Sequence, residues 1–268
     1  MIGADFTTIE PELRGAVALL WLNRPEVHNA FNATMLQELV EVLRQIEADP
    51  AIRVVVFSGR GKSFSAGADL NWMKEMIHYG YEENKQDALG ISELFYRIYT
   101  LGKPVIAAIN GAAIGGGMGF VGASDIVIAS DRARFSLSEV RIGVVPACIS
   151  PYLIKKAGEG MLKELFITGR RFGPEKALEA RLINHVVAHD RLLDFSLEMA
   201  GELLACGPDA VAMCKSLFRH VPEMDLKTAY DYTADVIARM RISPEAQEGM
   251  RAFLEKRRPA WCPAEPNG

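Results

Sequence analysis

Five glycines fall within eight positions directly after an apolar run, in the stretch AAIGGGMGFVGASD from Ala112 to Asp125. They are Gly115, Gly116, Gly117, Gly119 and Gly122. Inside a helix or strand, glycine costs about 0.5–1 kcal/mol relative to alanine, because its backbone loses more freedom on folding. The run therefore indicates that something approaches the backbone here too closely to leave room for side chains. Four interpretations fit: a dinucleotide-binding turn, a closely packed membrane helix, a backbone donor that approaches a substrate, or close helix–sheet packing without chemistry.

Apolar periodicity around the glycines predicts an α/β fold. Three short all-apolar segments are typical of strands in a buried parallel sheet; they span 54–57, 105–109 and 126–129. Asn32 is suited to cap a helix to about Ala48, because apolar residues then recur at helical spacing. From about Met161 onward helices prevail, and three prolines stand at expected first helical positions, namely Pro174, Pro208 and Pro244. An α/β core thus precedes a helical C-terminal layer.

Two interpretations of the glycines conflict with their surroundings. A dinucleotide site needs its glycines at the strand end and a full crossover helix after them. The G-x-G-x-x-G match from Gly117 to Gly122 instead follows its strand at a distance and leaves barely two helical turns before the next strand. A membrane helix needs about 20 mostly apolar residues, but the uncharged segment 104–123 contains Asn110 and many glycines. Two interpretations of the glycines remain: a backbone donor that approaches a substrate, and close helix–sheet packing without chemistry.

Composition and charge narrow the classes of partner. The 268 residues are 49% hydrophobic and 24% charged, with a net charge of −4, so nothing attracts the chain as a whole to nucleic acid or an anionic membrane. Four cysteines without a C-x-x-C pair or histidines at zinc spacing predict free thiols in a reducing compartment. The N-terminal segment is acidic where a secretory signal needs a basic and then an apolar block. We expect a cytoplasmic protein that binds no metal, nucleic acid or membrane.

A second glycine-containing loop stands earlier in the chain. GRGKSFSAGADL, from Gly59 to Leu70, follows a predicted strand and precedes a helix-like segment. Loops that follow parallel strands meet at the carboxyl edge of the sheet. Backbone N–H groups from two such loops can together hold developing negative charge, as an oxyanion hole does.

These loops, FSAGADL and INGAAIGGG, resemble the signature loops of the crotonase superfamily, also called the enoyl-CoA hydratase/isomerase family. The resemblance covers nearly the whole chain through LNRPEVHNAFN, RFSLSEVRIGVVP, ITGRRF, ARLINHVV and GMRAFLEKRRP. It implies a crotonase fold of stacked ββα superhelical turns, with the ββα core and acyl-CoA site in 1–200 and a helical C-terminal trimerisation region in 201–268. It also implies an acyl-CoA substrate and a homo-oligomer, either a trimer or a dimer of trimers.

Position by position, the resemblance implies roles for residues of the site. The N–H groups of Ala68 and Gly116 would be the donors that hold the thioester oxygen while an enolate forms. Several positions match those that contact CoA in the family, namely Glu26, Val27, His28, Ala66, Asp69 and Leu70. Phe253 and Lys256 match positions that reach CoA on a neighbouring subunit. Coenzyme A is part of the substrate, and no other cofactor is implied.

Only one of the two glutamates typical of the family's hydratases is present. Glu139 in SLSEVRIG matches one of them, and Gly119 stands at the position of the other. A single carboxyl can move one proton at the carbon next to the thioester. This suits a double-bond isomerase, or a hydratase that orients its water in another way. Asp125 is a weaker second candidate, because an acid after a helix more often caps or pairs locally.

A finer resemblance, carried by SAGADLNWMKEM, GGGMG and SEVRIGVVPACISPYL, is to bacterial hydratases of branched glutaconyl-CoA substrates. These act on 3-methylglutaconyl-CoA in leucine breakdown and on isohexenylglutaconyl-CoA in terpene breakdown, and both substrates carry a second, free carboxylate. We therefore expect a cation in the acyl pocket, with Lys74 and Arg141 as candidates unless they are surface charges. The alternatives are a Δ3,Δ2-enoyl-CoA isomerase and a non-catalytic CoA-binding or RNA-associated scaffold.

Overall fold

The computed structural model describes residues 2–3 and 5–263. The strands in this part of the chain are β1 (Ile9–Arg14), β2 (Val17–Leu22), β3 (Val54–Gly59), β4 (Ser63–Ser65), β5 (Val105–Ile109), β6 (Ala112–Ile114), β7 (Ile126–Ser130), β8 (Arg134–Ser136) and β9 (His185–Val187). Its α-helices are α1 (Ala33–Ala48), α2 (Leu70–Met76), α3 (Tyr81–Thr100), α4 (Met118–Ala123), α5 (Ser150–Ala157), α6 (Glu159–Thr168), α7 (Pro174–Glu179), α8 (Leu192–Leu204), α9 (Pro208–His220), α10 (Leu226–Ile242) and α11 (Pro244–Leu254).

Repeated ββα units build two sheets side by side. The larger sheet has the strand order β1-β2-β3-β5-β7-β9, and the smaller has the order β4-β6-β8. Each of the units β3-β4-α2, β5-β6-α4 and β7-β8-α5 gives one strand to each sheet before its helix. All strand pairs are parallel except the β1–β2 hairpin. The predicted α/β crotonase fold of stacked ββα turns is confirmed.

The larger sheet is apolar because both of its faces are covered. Every residue of β3 is buried, which explains why its sequence, VVVFSG, has no polar alternation. α1, α3 and α4 pack on one face in the main hydrophobic core, and α8 packs on the other face. Asn32 caps α1 as predicted, since its side chain accepts a hydrogen bond from the Met35 N–H at 2.9 Å.

Two details of the fold could not be read from the sequence patterns. The short strands β4, β6 and β8 have three residues each, too few to show periodicity, and the sequence did not predict them. The boundary expected between residues 200 and 201 falls inside α8, which packs on the sheet. The division into a core and a trimerisation region therefore stays a prediction.

Asp125 lies at the start of β7 and has a structural role. Its Oδ2 accepts the Val105 N–H at 2.7 Å and pairs with Lys215 Nζ at 2.5 Å. Val105 is the first residue of β5 and Lys215 lies on α9, so this pairing is at the amino end of the strand, whereas the loops after β4 and β6 follow carboxyl ends. Asp125 thus pairs locally and supplies no second acid. Within the described residues, none of the helices combines the length and the apolar character that a membrane span requires.

Candidate active site

The loop after β4 holds one backbone N–H free. Phe31 pairs with Ala68 in a parallel bridge. In this bridge the Phe31 N–H donates to the Gly67 carbonyl at 2.7 Å, and the Asp69 N–H donates to the Phe31 carbonyl at 2.8 Å. The pairing uses the groups on either side of Ala68, so the Ala68 N–H points away and has no hydrogen-bond partner among the described residues. Ala68 is also exposed.

The loop after β6 brings a second N–H to the same place. Gly116 is the middle residue of a 3₁₀ helix, Gly115–Gly117, that leads into α4. The first N–H groups of a helix have no partner within it. β4 and β6 are parallel neighbours, and a Cβ added to Gly67, which has a φ of +88°, would lie 3.4 Å from the Gly116 nitrogen. The loop that carries Ala68 therefore contacts the loop that carries Gly116, and their sharing of one oxyanion stays a prediction.

Glu139 lies against these loops with an unsatisfied carboxyl oxygen. The residue is in the 3₁₀ helix Ser138–Ile142, which follows β8, the parallel neighbour of β6. A Cβ added to Gly115 would lie 3.4 Å from Glu139 Oε1. Glu139 Oε2 is buried and has no hydrogen-bond partner among the described residues. Burial raises the pKa of the Glu139 carboxyl above its ordinary value.

An aromatic ring fills the space beside Gly119 that the side chain of a second glutamate would enter. A Cβ added to Gly119 would overlap the Phe95 ring, which projects from α3 onto α4. Phe95 also packs edge-on against Phe31 and Phe120, with ring centroids 6.4 and 5.5 Å away. The absence of a second glutamate is therefore built into the packing. The sequence showed Gly119 but not Phe95, which looked like one more apolar residue of α3.

The predicted CoA-contacting turns are exposed next to the loop that carries Ala68. Glu26 and Val27 belong to the 3₁₀ helix Pro25–Val27, and His28 follows it. All three are exposed, as are Ala66 and Leu70. A hydrogen bond of 3.0 Å between His28 Nδ1 and Ser63 Oγ fixes the turn beside β4. These five residues therefore lie on exposed turns, and their contact with CoA stays a prediction.

Asp69 differs from the other predicted CoA contacts because its polar groups are used within the chain. Its Oδ2 pairs with Arg24 at 2.8 Å, its Oδ1 caps α2 by accepting the Asn71 N–H at 2.8 Å, and its carbonyl accepts the Met73 N–H. Asp69 is therefore a structural anchor of the loop. Arg24 was not singled out from the sequence, although it lies in the quoted LNRPEVHNAFN motif.

The two candidate cations, Lys74 and Arg141, are bound to other parts of the chain. Lys74 is exposed on α2, where its Nζ lies 3.5 Å from Asn71 Oδ1. Arg141 is exposed, and its Nε donates to the Gly169 carbonyl at 2.8 Å. Neither side chain makes a hydrogen bond to Glu139 or the two loops among the described residues. Their predicted role as partners of a substrate carboxylate stays a prediction.

The two C-terminal candidates are not tied to the site of their own chain. Phe253 at the end of α11 is 82% exposed. Lys256 is exposed in a left-handed turn, where its N–H donates to the Phe253 carbonyl. No hydrogen bond joins either residue to Ala68, Gly116 or Glu139 among the described residues. Both residues are exposed, and their reach to CoA on a neighbouring subunit stays a prediction.

Two converging N–H groups and one isolated carboxyl define the chemistry of the site. The N–H groups can stabilise the oxyanion that forms when a carbonyl becomes an enolate. The carboxyl, whose pKa is raised, can accept a proton and return it at an atom nearby. Within residues 2–3 and 5–263, no group of three or more His, Cys, Asp or Glu side chains is placed to hold a metal ion.

Comparison with known proteins identifies the family of this chain. The family model described as enoyl-CoA hydratase/isomerase matches residues 12–263. A Thermus thermophilus relative, provisionally named an enoyl-CoA hydratase, is 38% identical over 248 residues, which are 92% of this chain and 98% of the relative. The carnitinyl-CoA dehydratase of Escherichia coli K12 is 35% identical over 253 residues, 92% of this chain and 95% of that protein.

Solved structures show the same fold. The crystal structure of an enoyl-CoA hydratase from Shewanella pealeana superposes with a TM-score of 0.93 at 36% identity, covering 96% of this chain and 97% of that one. The predicted family resemblance and the prediction of an enzyme of the hydro-lyase type are confirmed. The chain belongs to the enoyl-CoA hydratase/isomerase family.

Proposed function

We propose that this protein is a hydratase that adds water across the 2,3 double bond of an acyl-CoA thioester, and that a branched glutaconyl-CoA is its substrate. The observation that carries the hydratase proposal is the Glu139 carboxyl, which lies against Gly115 beside the Gly116 donor with a buried and unpartnered oxygen. A buried carboxyl without a partner is costly. Such a group persists where a substrate or water completes its hydrogen bonding.

One carboxyl carries the proton through both stages of the proposed reaction. Glu139 accepts a proton from water while the water oxygen forms a bond to C3 of the substrate. The electrons of the double bond then move onto the thioester carbonyl, and the N–H groups of Ala68 and Gly116 hold the resulting enolate oxygen. Protonated Glu139 returns its proton to C2 as the carbonyl reforms. The product is a 3-hydroxyacyl-CoA, and no metal or further cofactor takes part.

The choice of a branched glutaconyl-CoA rests on the motifs around both loops and around Glu139. Candidates are 3-methylglutaconyl-CoA and isohexenylglutaconyl-CoA, which would place the reaction in leucine or terpene breakdown. Lys74 and Arg141 are the cations offered for the second carboxylate of these substrates. Both side chains are exposed, and neither makes a hydrogen bond to Glu139 or the oxyanion loops among the described residues.

A Δ3,Δ2-enoyl-CoA isomerase is the second candidate, and one observation favours it. Phe95 occupies the space at Gly119 where a hydratase of this family usually has its second acid. An isomerase moves one proton from C2 to C4 through the same enolate, and one carboxyl suffices for that. The two activities are separated by supplying a 2-enoyl-CoA, which only the hydratase converts to a hydroxyacyl product.

Assembly into a homo-oligomer, either a trimer or a dimer of trimers, completes the proposed CoA site. The C-terminal helices α10 and α11 carry several large apolar side chains that are more than three-quarters exposed, namely Leu226, Ile242, Phe253 and Leu254. Such a face is typical of a surface that another protein covers. Phe253 and Lys256 would then reach CoA on a neighbouring subunit. The four cysteines, none of them in a disulfide, fit a cytoplasmic enzyme.

The proposal is tested by following the loss of enoyl-thioester ultraviolet absorbance with 3-methylglutaconyl-CoA beside crotonyl-CoA. We expect rapid loss with the first substrate and slower loss with the second. Lys74→Met and Arg141→Met should each be measured on both substrates, because the residue that binds the free carboxylate should lower only the first rate. No loss with either substrate, followed by turnover of a 3-enoyl-CoA, would replace the hydratase with the isomerase.

A further inference from the structure

No hydrogen bond from another residue holds the Glu139 carboxyl in place. Its Oε2 has no partner, and no other residue in the described part of the chain donates to either carboxyl oxygen. A group that moves a proton must lie close to the reacting carbon, because a misplacement of about 1 Å can lower a rate about 100-fold. The position of this carboxyl therefore depends on what fixes the 3₁₀ helix Ser138–Ile142, which carries it.

This 3₁₀ helix packs directly on the bare Cα of Gly169, the residue that follows α6. A Cβ added to Gly169 would lie 2.9 Å from Val140 Cγ2 and 3.0 Å from the Leu137 carbonyl oxygen. The next nearest atom is Arg141 Cγ, at 3.2 Å. These three residues flank Glu139 on both sides in the chain. Carbon atoms in ordinary contact are about 3.5–4.0 Å apart, so a side chain at Gly169 would push this segment away by about 0.6 Å or more.

Gly169 is itself fixed at the end of α6. It has a left-handed conformation with a φ of +55°, and its N–H donates to the Leu165 carbonyl at 3.1 Å. Three residues later, Phe172 exchanges two backbone hydrogen bonds with Phe135 of β8, at 2.9 and 3.0 Å. The segment before Glu139 is therefore joined to the segment after Gly169.

A buried serine links Gly169 to the strand that leads to Glu139. Ser136 at the end of β8 is 1% exposed, and its Oγ donates to the Gly169 carbonyl at 3.0 Å. Arg141 Nε donates to the same carbonyl at 2.8 Å, but water competes for this exposed side chain and is excluded from the serine. The bond from Arg141 uses Nε only, so it does not conflict with a second role for the terminal nitrogens of the guanidinium.

We propose that Gly169 is a positioning residue, which sets the place of the Glu139 carboxyl through the contact of its bare Cα with residues 137–141. The inference rests on the proposed function, because it requires Glu139 to move a proton. Ser136 maintains the contact through its buried hydrogen bond. The motif ITGRRF, at 167–172, thereby has a role in the reaction that acts through Glu139.

Gly169→Ala tests the contact with a single methyl group. With the substrate that wild type hydrates best, we expect kcat to fall about 10- to 100-fold. KM should stay within about twofold of wild type, because the two N–H donors and the predicted CoA-contacting turns lie on other loops. The matched control is Gly15→Ala. Gly15, in the turn between β1 and β2, has a φ of +59° and open space around it, so alanine there introduces the backbone strain without the contact and should leave kcat unchanged.

A second substitution separates the contact from the backbone strain at Gly169. Val140→Ala removes the atom nearest to the new methyl group. When it is combined with Gly169→Ala, kcat should rise at least about fivefold above that of Gly169→Ala alone. Val140→Ala by itself should not raise kcat. Backbone strain is the same with and without Val140→Ala, so strain alone predicts no recovery.

Ser136→Ala keeps the inference testable if Gly169→Ala does not fold. Loss of its hydrogen bond should lower kcat about threefold to tenfold with KM retained. The matched control is Ser196→Ala on α8, where another fully buried serine donates to a backbone carbonyl, that of Leu192, at 2.7 Å. Its kcat should equal that of wild type. Thermal unfolding shows which variants are folded at the temperature of the assay.

Two results would overturn the inference while the hydratase proposal stands. One is a kcat in folded Gly169→Ala or Ser136→Ala that equals the kcat of its control. The other is an equal fall of kcat on Gly169→Ala with and without Val140→Ala. A wild type that hydrates no substrate would instead refute the proposed function. The same comparisons then apply to isomerisation of a 3-enoyl-CoA, which also needs the Glu139 proton, and absence of that activity as well would refute both proposals.

Discussion

Two carboxyl groups beside the oxyanion loops are held in opposite ways. Asp69 follows the Ala68 donor, pairs with Arg24 and caps α2. Burial opposes its charge, but the Asn71 N–H and the Arg24 guanidinium outweigh that effect and lower the pKa of Asp69. Glu139 lies beside the Gly116 donor with a buried oxygen that has no partner among the described residues, and burial raises its pKa.

The difference indicates that Asp69 has a structural role, whereas Glu139 is suited to proton transfer. A fully satisfied carboxylate stabilises the loop that holds it and has no free lone pair aimed at a ligand. An unsatisfied carboxyl lowers the stability of the fold but can exchange a proton with a substrate. We therefore predict that substitutions at the two acids affect stability in opposite directions.

Asp69→Asn should have the largest effect on stability. It leaves the Arg24 guanidinium without its anionic partner in a largely buried place, which we expect to lower the free energy of unfolding by about 3 kcal/mol. Urea unfolding measures the loss, and Arg24→Met serves as the matched variant. Equal stability of Asp69→Asn and wild type would show that Asp69 is not the anchor of this loop.

Gly119→Ala tests whether the packing of Phe95 explains why the site has only one glutamate. The added Cβ overlaps the Phe95 ring, so we expect a loss of about 1–3 kcal/mol through overpacking. In a Phe95→Ala background, the same substitution should cost nothing or stabilise α4 slightly, because alanine favours a helix by about 1 kcal/mol over glycine. An equal loss in both backgrounds would contradict the assignment of Phe95 as the group that excludes a second acid.

Glu139→Gln should stabilise the folded protein. The amide has nearly the same shape as the carboxyl and removes a buried charge, so we expect a gain of about 1 kcal/mol, equivalent to a rise in Tm of about 2–4 °C. Differential scanning calorimetry at neutral pH measures it. A clear loss of stability would mean that Glu139 has a structural partner.

The differences in stability between wild type and the variants Asp69→Asn and Glu139→Gln should be smallest at acidic pH. Asp69, with its lowered pKa, contributes stability above its unfolded pKa that is lost as pH falls through the folded value. Glu139, with its raised pKa, penalises the fold by an amount that grows as pH rises above its unfolded pKa and is complete above the folded value. Both the deficit of Asp69→Asn and the gain of Glu139→Gln should therefore shrink toward zero as pH falls. Unfolding measured over a pH series checks both, and a deficit or gain that grows in acid would reverse the assigned pKa directions.

Sequence patterns predicted the main helices, the buried strands and the two loops, because these follow from periodicity, capping and glycine placement. The cap at Asn32 and the parallel strand at Val54–Gly59 are examples. What could not be predicted depends on tertiary contacts. Arg24 meets Asp69 across a gap of many residues, and Phe95 meets Gly119 only because α3 packs on α4. No local signal distinguishes either residue from an ordinary arginine or phenylalanine.

The most direct test of the one-carboxyl mechanism is the hydration rate of Glu139→Gln, measured with the better of 3-methylglutaconyl-CoA and crotonyl-CoA. We predict a fall in kcat of about 10²–10⁴, as for the loss of a general acid–base group, in a protein that unfolds no earlier than wild type. Glu175→Gln, an exchange at an exposed acid in the first turn of α7, should leave the rate unchanged. A Glu139→Gln rate within tenfold of wild type would contradict the claim that this one carboxyl carries the proton.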